Sequence, residues 1–350
     1  MAVTHRLLIG SYTQPMGSID GEGEGILAVD LDAQTGAFSA PNLVSRCENP
    51  SYVTVAGEHV FAVTEFARQQ GASIGLLTHR DGIINEVSSV AIEGDYPCHV
   101  AVNAAQDLVV ASNYGSGSFS VYRLEQGSLT HFDTVQHTGV GANRDRQEAP
   151  HAHFAQFLET SNTLVTVDLG TDRVSFYPVS DAHLERENAQ HVVFPPGSGP
   201  RHLVFNQQET LAYVLCELSE EVTVLEREAN GVWTIVQAFS PFEKHNEGGA
   251  AAAIRLSNDE EYLYVSGRQQ NVICVLKIEN NHTLALQQTV STNGINPRDF
   301  NLSRDGEWLV VANQNTSNLA SYRVDKTTGL LSPSGYEFAT GNPVCIALLC

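Results

Sequence analysis

The segment Tyr96-Pro97-Cys98-His99-Val100 combines a proline, two or three small or polar residues and the start of an alternating apolar strand. The same pattern recurs, with Gly replacing Pro once, as Asn49-Pro50-Ser51-Tyr52-Val53, Ala149-Pro150-His151-Ala152-His153, Gly199-Pro200-Arg201-His202-Leu203, Gly248-Gly249-Ala250-Ala251-Ala252, Asn296-Pro297-Arg298-Asp299-Phe300 and Asn342-Pro343-Val344-Cys345-Ile346. We call these seven segments anchors. Taken at positions 50, 97, 150, 200, 249, 297 and 343, they are spaced by 47, 53, 50, 49, 48 and 46 residues. Such nearly constant spacing indicates an internal repeat.

Each of the first six anchors leads through a turn to a second apolar strand, which ends in a polar residue. These second strands are predicted at 60–65, 108–113, 164–168, 212–217, 263–268 and 308–313. A third, alternating strand follows each of them, and a weaker fourth strand precedes the next anchor. The runs are rich in β-branched and aromatic residues and show no helical periodicity. Four short strands per repeat are typical of a propeller blade.

The two ends of the chain supply the remaining blade. The last anchor leaves room for one strand, at 345–349, while the N-terminal region begins with the equivalent of a second strand at 7–12 and a third at 25–30. One C-terminal strand and three N-terminal strands would complete a blade and leave no open sheet edge. We therefore predict an all-β fold, a seven-bladed β-propeller with four-stranded antiparallel blades, formed by residues 1–350 as a single domain.

The charge balance excludes several classes of partner. The chain has 19 Lys and Arg residues against 40 Asp and Glu residues, a net charge of -21 with histidine neutral. Nucleic acid is bound by clustered basic residues, and an anionic membrane surface also attracts basic segments. Neither partner fits this chain. Apolar residues make up 42% of the sequence, which is enough to form a large core.

The cysteines and the N-terminal sequence favour a reducing compartment. The six cysteines form no C-x-x-C pair and mostly have apolar neighbours; they are Cys47, Cys98, Cys216, Cys274, Cys345 and Cys350. The apolar run at 7–9 is too short for the core of a signal peptide. We expect a reduced cytoplasmic protein, a monomer or weak homodimer, with no cofactor.

Two sets of positions are candidates for a functional site, because the first strand of each blade lines the channel of a propeller. Residues just after the anchors are Tyr52, His99, His151, His153, Arg201, His202, Arg298 and Asp299. Residues ending the second strands are Tyr12, Glu65, Asn113, Asp168, Glu217, Arg268 and Asn313. Three arginines and several histidines at these positions, in a chain with few basic residues, indicate an anionic ligand.

Structural roles compete with functional ones at several of these positions. A histidine at the start of a blade, such as His99, can instead hold the backbone of the neighbouring blade. The segment 168–172 fits a tight turn anchored by Asp168 better than a metal loop. His151, His153 and Glu217 could be metal ligands, but without a further His or Cys pair we expect no metal.

Three longer motifs and several shorter ones resemble the bacterial lactonase family of seven-bladed propellers, which is similar in fold to carboxymuconate lactonizing enzyme. The longer motifs are Glu148-Ala149-Pro150-His151-Ala152-His153, Val167-Asp168-Leu169-Gly170-Thr171-Asp172-Arg173 and Gly199-Pro200-Arg201-His202-Leu203-Val204-Phe205. The shorter ones lie at 9–13, 112–115, 296–300 and 311–316, so that the resemblance extends over nearly the whole chain. The Gly248-Gly249 pair departs from the proline of the other anchors.

The resemblance implies an active site at the mouth of the channel, built from a histidine, a glutamate and arginines. By motif, the catalytic residues would be His153, Glu217, Arg201 and Arg268, and the substrate-binding residues His99, His151, His202, Arg298 and Asn313. The implied reaction is hydrolysis of a small anionic sugar lactone, 6-phosphogluconolactone to 6-phosphogluconate of the pentose phosphate route, with His153 or Glu217 as the base. Lactonization of a muconate and a non-catalytic binding propeller are the alternatives.

Overall fold

Regular structure in the described part of the chain consists of β-strands and two 3₁₀ helices, at Arg68–Gln70 and Arg186–Asn188. The computed structural model describes residues 3–80, 83–180, 183–243 and 249–349, so Gly248 of the fifth anchor and Cys350 lie outside the described residues. The strands are β1 (Thr4–Ser11), β2 (Ile26–Asp32), β3 (Asn42–Ser45), β4 (Val53–Ala56), β5 (His59–Thr64), β6 (Ser73–Arg80), β7 (Ile83–Ala91), β8 (Pro97–Val102), β9 (Leu108–Asn113), β10 (Ser118–Glu125), β11 (Ser128–Gln136), β12 (Ala152–Leu158), β13 (Thr163–Asp168), β14 (Arg173–Ser180), β15 (His183–Leu184), β16 (Gln190–Val193), β17 (Pro200–Phe205), β18 (Leu211–Cys216), β19 (Val222–Arg227), β20 (Trp233–Phe239), β21 (Ala251–Leu256), β22 (Tyr262–Gly267), β23 (Val272–Ile278), β24 (Leu284–Ser291), β25 (Pro297–Leu302), β26 (Trp308–Asn313), β27 (Asn318–Val324), β28 (Leu331–Ala339) and β29 (Pro343–Leu348). Within those described ranges, no helix is long and apolar enough to cross a membrane.

Seven sheets account for all of these strands. Their strand orders are β29-β1-β2-β3, β4-β5-β6-β7, β8-β9-β10-β11, β12-β13-β14 with β15 and β16, β17-β18-β19-β20, β21-β22-β23-β24 and β25-β26-β27-β28. The predicted seven-bladed propeller is confirmed, and so is the blade shared between the two chain ends. The predicted second strands agree with β5, β9, β13, β18, β22 and β26 to within about one residue at either end.

The sheet that begins with β12 differs from the prediction, because it has five strands. Both β15 and β16 pair with β14, β15 with its last two residues and β16 with its first four. The 3₁₀ helix Arg186–Asn188 lies between β15 and β16 in the chain. The expected fourth strand is thus interrupted by a helical turn and divided into two short pieces.

Contacts within the chain divide it into two compact units, and each is described by itself. The terminal unit comprises Met1–Gly57 and Phe239–Cys350, and the central unit comprises Glu58–Ala238. In the central unit, Trp233 stacks on Phe176 with ring centroids 5.0 Å apart, in a core formed by two successive sheets. In the terminal unit, Tyr264 and Tyr322 are fully buried between neighbouring sheets. Whether residues 1–350 form a single domain stays a prediction.

Burial decreases from the second strand of a blade to its fourth. All six residues of β13 are buried, whereas β7 contains only exposed and half-buried residues. A strand with neighbouring sheets packed on both faces is apolar throughout, and a strand at the outer edge alternates or becomes polar. This gradient explains why the fourth strands were the weakest in the sequence pattern.

The first strand of several blades starts with a β-bulge. Pro97 pairs with Asn113 and His99 with Ser112, so that Cys98 is an extra residue in β8. The same register shift makes His153, Arg201 and Arg298 the extra residues of β12, β17 and β25. A bulge redirects the side chain of the extra residue. Three of the predicted site residues therefore occupy equivalent bulge positions.

The pairing also corrects the placement of two anchors. Ala152 and Ala251 take the position in their blades that Pro97 takes in β8, since each pairs with the last residue of the second strand. The anchors set at positions 150 and 249 are thus displaced by two residues. Pro150 lies before the strand instead of at its first paired residue, and the fifth anchor has no proline to mark that residue.

A left-handed residue precedes the proline in five anchors. The residues with positive φ at this position are Asn49, Tyr96, Gly199, Asn296 and Asn342. Glycine adopts this conformation without steric cost, and asparagine adopts it more readily than other residues with a side chain. The turn into the first strand therefore accounts for the Asn and Gly residues that precede the anchor prolines.

We expect Asn296→Ala to be less stable than Asn296→Gly by about 1 kcal/mol, because only the alanine variant carries a Cβ at the φ of 63°. Both variants lose the contact between Asn296 Nδ2 and Asn315 Oδ1, so that the comparison isolates the backbone conformation. Urea denaturation monitored by tryptophan fluorescence measures the difference. An alanine variant as stable as the glycine variant would contradict the assignment.

Candidate active site

The first strands of three successive blades in the central unit bring a cluster of polar side chains together. Strand β17 supplies Arg201, and Glu217 follows directly after β18. Arg201 Nε donates to Glu217 Oε2 over 3.0 Å, and both side chains are almost fully buried, at 3% and 4% exposure. Burying an ion pair costs free energy because both charges lose their hydration. This pair is the centre of the candidate site.

The position of Glu217 relative to its strand explains why it can reach this site. Its backbone N–H donates to Gly199 O, just as that of Tyr114 donates to Tyr96 O in another blade. Both residues lie one position beyond the end of a second strand. Because side chains alternate along a strand, this one-residue step places them on the opposite side from the last strand residue.

The residues that actually end the second strands have structural partners instead. Asn113 donates to the hydroxyls of Ser118 and Ser120, and both Asn113 and Asn313 are completely buried. Asn313 Nδ2 donates to Thr292 O. The predicted substrate-binding role of Asn313 receives no support from this environment and stays a prediction.

Three histidines surround the ion pair. The ring of His202 lies 5.3 Å from that of His153 and 5.9 Å from that of His99. Arg201 Nη1 lies 3.3 Å from His202 Nε2, and since a guanidinium only donates, His202 Nε2 is the acceptor and its other ring nitrogen carries the proton. His99 Nδ1 accepts from the backbone N–H of Ala155 over 3.4 Å. That contact is the backbone-holding role weighed above for His99.

His151 packs at the edge of the cluster. Its ring stacks on Tyr114 at 4.4 Å, and its Nδ1 donates to Tyr114 O over 3.0 Å. Its Nε2 lies 3.3 Å from Oε1 of the exposed Glu148. The His153 ring is nearly perpendicular to that of Tyr114, with ring centroids 5.7 Å apart, and His153 Nδ1 lies 3.9 Å from Cys98 Sγ. His151 and His153 thus both contact the Tyr114 ring in the same site.

Sequence reasoning missed Arg146, which completes the site. Arg146 Nη2 donates to Glu217 Oε1 over 2.6 Å, so that Glu217 has an arginine on each oxygen. Burial, followed by the charge of Glu217, raises the pKa of Tyr114, which is hydrogen-bonded to Arg146. The connection that carries Arg146 belongs to the longest interval between anchors, 53 residues. The extra length of this interval is the feature of the sequence that points to an additional segment near the site.

Arg268, Arg298 and Asp299 lie in the terminal unit. Arg268 Nε donates to Ala250 O over 2.9 Å, and the guanidinium of Arg298 lies 5.5 Å from the ring centroid of Tyr12. Asp299 accepts from Arg255 and from the backbone N–H of Ile346. The catalytic role of Arg268 and the binding role of Arg298 stay predictions from the resemblance.

A metal site was weighed for His151, His153 and Glu217. The first lies between Tyr114 O and Glu148, and Glu217 is held by two arginines. Over the residues that the structure describes, no group of three or more His, Cys, Asp or Glu side chains could hold a metal ion.

Comparison with known proteins gives the family. Residues 6–348 match the family described as "Lactonase, 7-bladed beta-propeller". The chain belongs to this family. The expected class of enzyme, a lactonase, is thereby confirmed. A 6-phosphogluconolactonase of Bacillus subtilis is 33% identical over 348 residues, which cover 97% of each chain.

Two solved structures show the same architecture. The periplasmic gluconolactonase PpgL of Pseudomonas aeruginosa superimposes with a TM-score of 0.90 and 27% identity, covering 99% of both chains. A protein from Lactobacillus plantarum has a TM-score of 0.90 and 32% identity, covering 99% of this chain and all of its own. The resemblance drawn from the sequence motifs is therefore confirmed at the level of the family.

A network of buried hydrogen bonds around Asp168 adjoins the site of this lactonase. Asp168 Oδ2 lies 2.8 Å from His137 Nδ1, and His137 Nε2 lies 3.1 Å from the Tyr177 hydroxyl. Asp168 Oδ1 accepts from the backbone N–H groups of His151 and Gly170. Asp168 therefore holds the turn after β13 against the segment that leads to His153, which fits the tight turn predicted for it.

The charge of Asp168 depends on this network. Burial acts to raise the pKa of Asp168, but the hydrogen bond and charge of His137, together with the N–H of His151, outweigh burial and lower the pKa below its ordinary value of 3.8. A lowered pKa in the folded state stabilises the fold above the unfolded pKa. That contribution is lost as the pH falls through the folded value.

We expect Asp168→Asn to lower the free energy of unfolding by about 1–3 kcal/mol at pH 7, because the hydrogen bonds to a charged group are weakened. The difference from the unaltered chain should narrow as the pH falls below about 4, where Asp168 becomes protonated in the unfolded chain. Urea denaturation at pH 7, 5, 4 and 3 measures this difference in the free energy of unfolding. Asp145→Asn, on the exposed loop, is the control. A difference that stays constant down to pH 3 would show that the charge of Asp168 is unimportant.

Proposed function

We propose that this lactonase hydrolyses 6-phosphogluconolactone to 6-phosphogluconate. The observation that carries the proposal is the Arg201–Glu217–Arg146 group beside His153 and His202. Two guanidinium groups and one carboxylate leave an excess positive charge in a chain whose net charge is -21. A local excess of positive charge on an acidic protein favours an anionic substrate.

The proposed base is His153. Each oxygen of Glu217 accepts a hydrogen bond from an arginine, and such bonds favour the ionised carboxylate and weaken it as a proton acceptor. Histidine, whose ordinary pKa is near neutral, is suited to remove a proton from water. His153 therefore fits the role of base, and Glu217 fits the role of positioning the two arginines.

The reaction then proceeds by addition of water to the lactone carbonyl. The water oxygen bonds to the carbonyl carbon, its proton passes to His153, and the carbonyl oxygen becomes an oxyanion. When the oxyanion re-forms the carbonyl, the bond from that carbon to the ring oxygen breaks. The ring oxygen then takes the proton from His153, giving the open-chain acid. Each step conserves atoms and needs no redox partner.

Arg201 is the group best suited to stabilise the oxyanion. Its guanidinium is buried, fixed by Glu217 on one side and His202 on the other, and the ring of Phe154 lies 5.1 Å from that of His202. A preorganised cation in such a shielded site is worth several kcal/mol to a developing negative charge. The fixed planar fork also limits how far the guanidinium must reorganise during the reaction.

The relatives support the choice of substrate class. The Bacillus subtilis relative is named a 6-phosphogluconolactonase and the Pseudomonas aeruginosa structure a gluconolactonase. Both names describe lactones of a sugar acid, one with a phosphate and one without. A cytoplasmic location and a monomeric or weakly dimeric state stay part of the proposal and rest on the sequence.

The purified protein should open 6-phosphogluconolactone faster than the spontaneous rate in an assay coupled to 6-phosphogluconate dehydrogenase. We expect His153→Ala to lower kcat by about 100-fold or more, the usual contribution of a general base. His183→Ala, which removes an exposed histidine on β15, is the matched control and should keep full activity.

Two results would overturn the proposal. One is a folded protein that opens the lactone no faster than the solvent does. The other is an equal loss of activity in the two histidine variants. A muconate assay at ultraviolet wavelengths, run on the same samples, identifies a lactonizing enzyme if that reaction is the one catalysed.

A further inference from the structure

Arg146 reaches the site from outside the blades. It lies in the connection between β11 and β12, and its neighbour Gln147 is completely buried. Gln147 Nε2 donates to Leu169 O over 2.8 Å and to Asp172 Oδ1 over 2.7 Å. Its Oε1 accepts from the backbone N–H of Asn143 over 3.0 Å. The connection is therefore fastened at the residue next to Arg146.

Arg146 and Arg201 hold the same carboxylate but differ in their exposure. The side chain of Arg146 is 41% exposed and that of Arg201 only 3%. Arg146 Nη2 donates to Glu217 Oε1, and the guanidinium is also hydrogen-bonded to the Tyr114 side chain. A guanidinium has five N–H donors. Arg146 therefore has donor capacity left on a solvent-facing side, directly beside the buried pair.

The charges around Arg146 determine what it can bind. Glu148, two residues after Arg146, lies 3.3 Å from His151 Nε2. Arg144 and Asp145, on the same connection, are exposed. With Glu217 shared between two arginines, the group as a whole keeps one uncompensated positive charge. Arginine forks bind phosphate and carboxylate oxygens in a bidentate manner.

We propose that Arg146 binds the phosphate of the substrate and so determines the preference for a phosphorylated over a neutral sugar lactone. This inference rests on the proposed lactone hydrolysis. It assigns different tasks to the two arginines: buried Arg201 faces the reacting carbonyl, and exposed Arg146 takes the charged group at the distant end. Glu217 holds both guanidinium groups, one on each carboxylate oxygen.

The test compares Arg146→Gln with Arg144→Gln on two substrates, 6-phosphogluconolactone and the unphosphorylated gluconolactone. We expect Arg146→Gln to lower the ratio of kcat/KM for the phosphorylated over the neutral lactone by tenfold or more, mainly through KM. Arg144→Gln removes an arginine two residues away and should leave the ratio within about twofold, as expected for a screened surface charge. Arg146→Lys keeps the positive charge but not the forked guanidinium, so its ratio of kcat/KM values should lie between those of the two glutamine variants.

An equal loss on both lactones would overturn the proposal and show that Arg146 only positions Glu217. Calorimetric binding of 6-phosphogluconate and gluconate separates this inference from the proposed function. If the unaltered protein opens neither lactone, the proposed function fails. Selective weakening of 6-phosphogluconate binding in Arg146→Gln would still support the phosphate role. Equal binding by the two glutamine variants, or no preference for 6-phosphogluconate in the unaltered protein, would overturn that role.

Discussion

The site depends on one extra residue at the start of a β-strand. In a regular antiparallel pair, successive side chains point to opposite faces, and both faces of a first strand are packed against its neighbours. The bulge at Cys98, His153 and Arg201 interrupts that alternation at the same point in three successive blades. Polar side chains can then leave the packed surface while the rest of each strand stays apolar. The same strand can therefore carry candidate site residues at its bulge and apolar core residues along the rest of its length.

Glu217 connects the fold to the chemistry. Its backbone is tied to Gly199, and its carboxylate holds one buried and one exposed arginine. Burying charges in this way costs free energy that an apolar cluster of equal volume would not cost. The arrangement is therefore better explained by the need to fix two cations than by stability. Gly199 has positive φ, and a Cβ there would come within 2.5 Å of Leu218, so the turn before β17 requires glycine for Glu217 to stay in place.

The repeat, the blade count and the joining of the chain ends could be predicted because they rest on local spacing and alternation. The sequence marks His153 and Arg201 as candidates because they follow recognisable anchors, and Glu217 because it follows a recognisable strand. Arg146 could not be placed, since its position depends on how a connection folds back through Gln147. Asp168 and Asn313 end their second strands and make structural hydrogen bonds, whereas Glu217 lies one residue beyond the end of its strand. If the predicted end of a strand is wrong by one residue, the side chain assigned to the site is one that points to the opposite face of the strand.

The blade shared by the two chain ends also has a consequence for synthesis. Leu7 on β1 pairs with Leu348 on β29, so that one edge of the N-terminal sheet has no partner until β29 has been synthesised. A contact between such distant residues carries a high loop-closure entropy and slows folding. During that interval the exposed edge of β1 is a template for pairing with other chains.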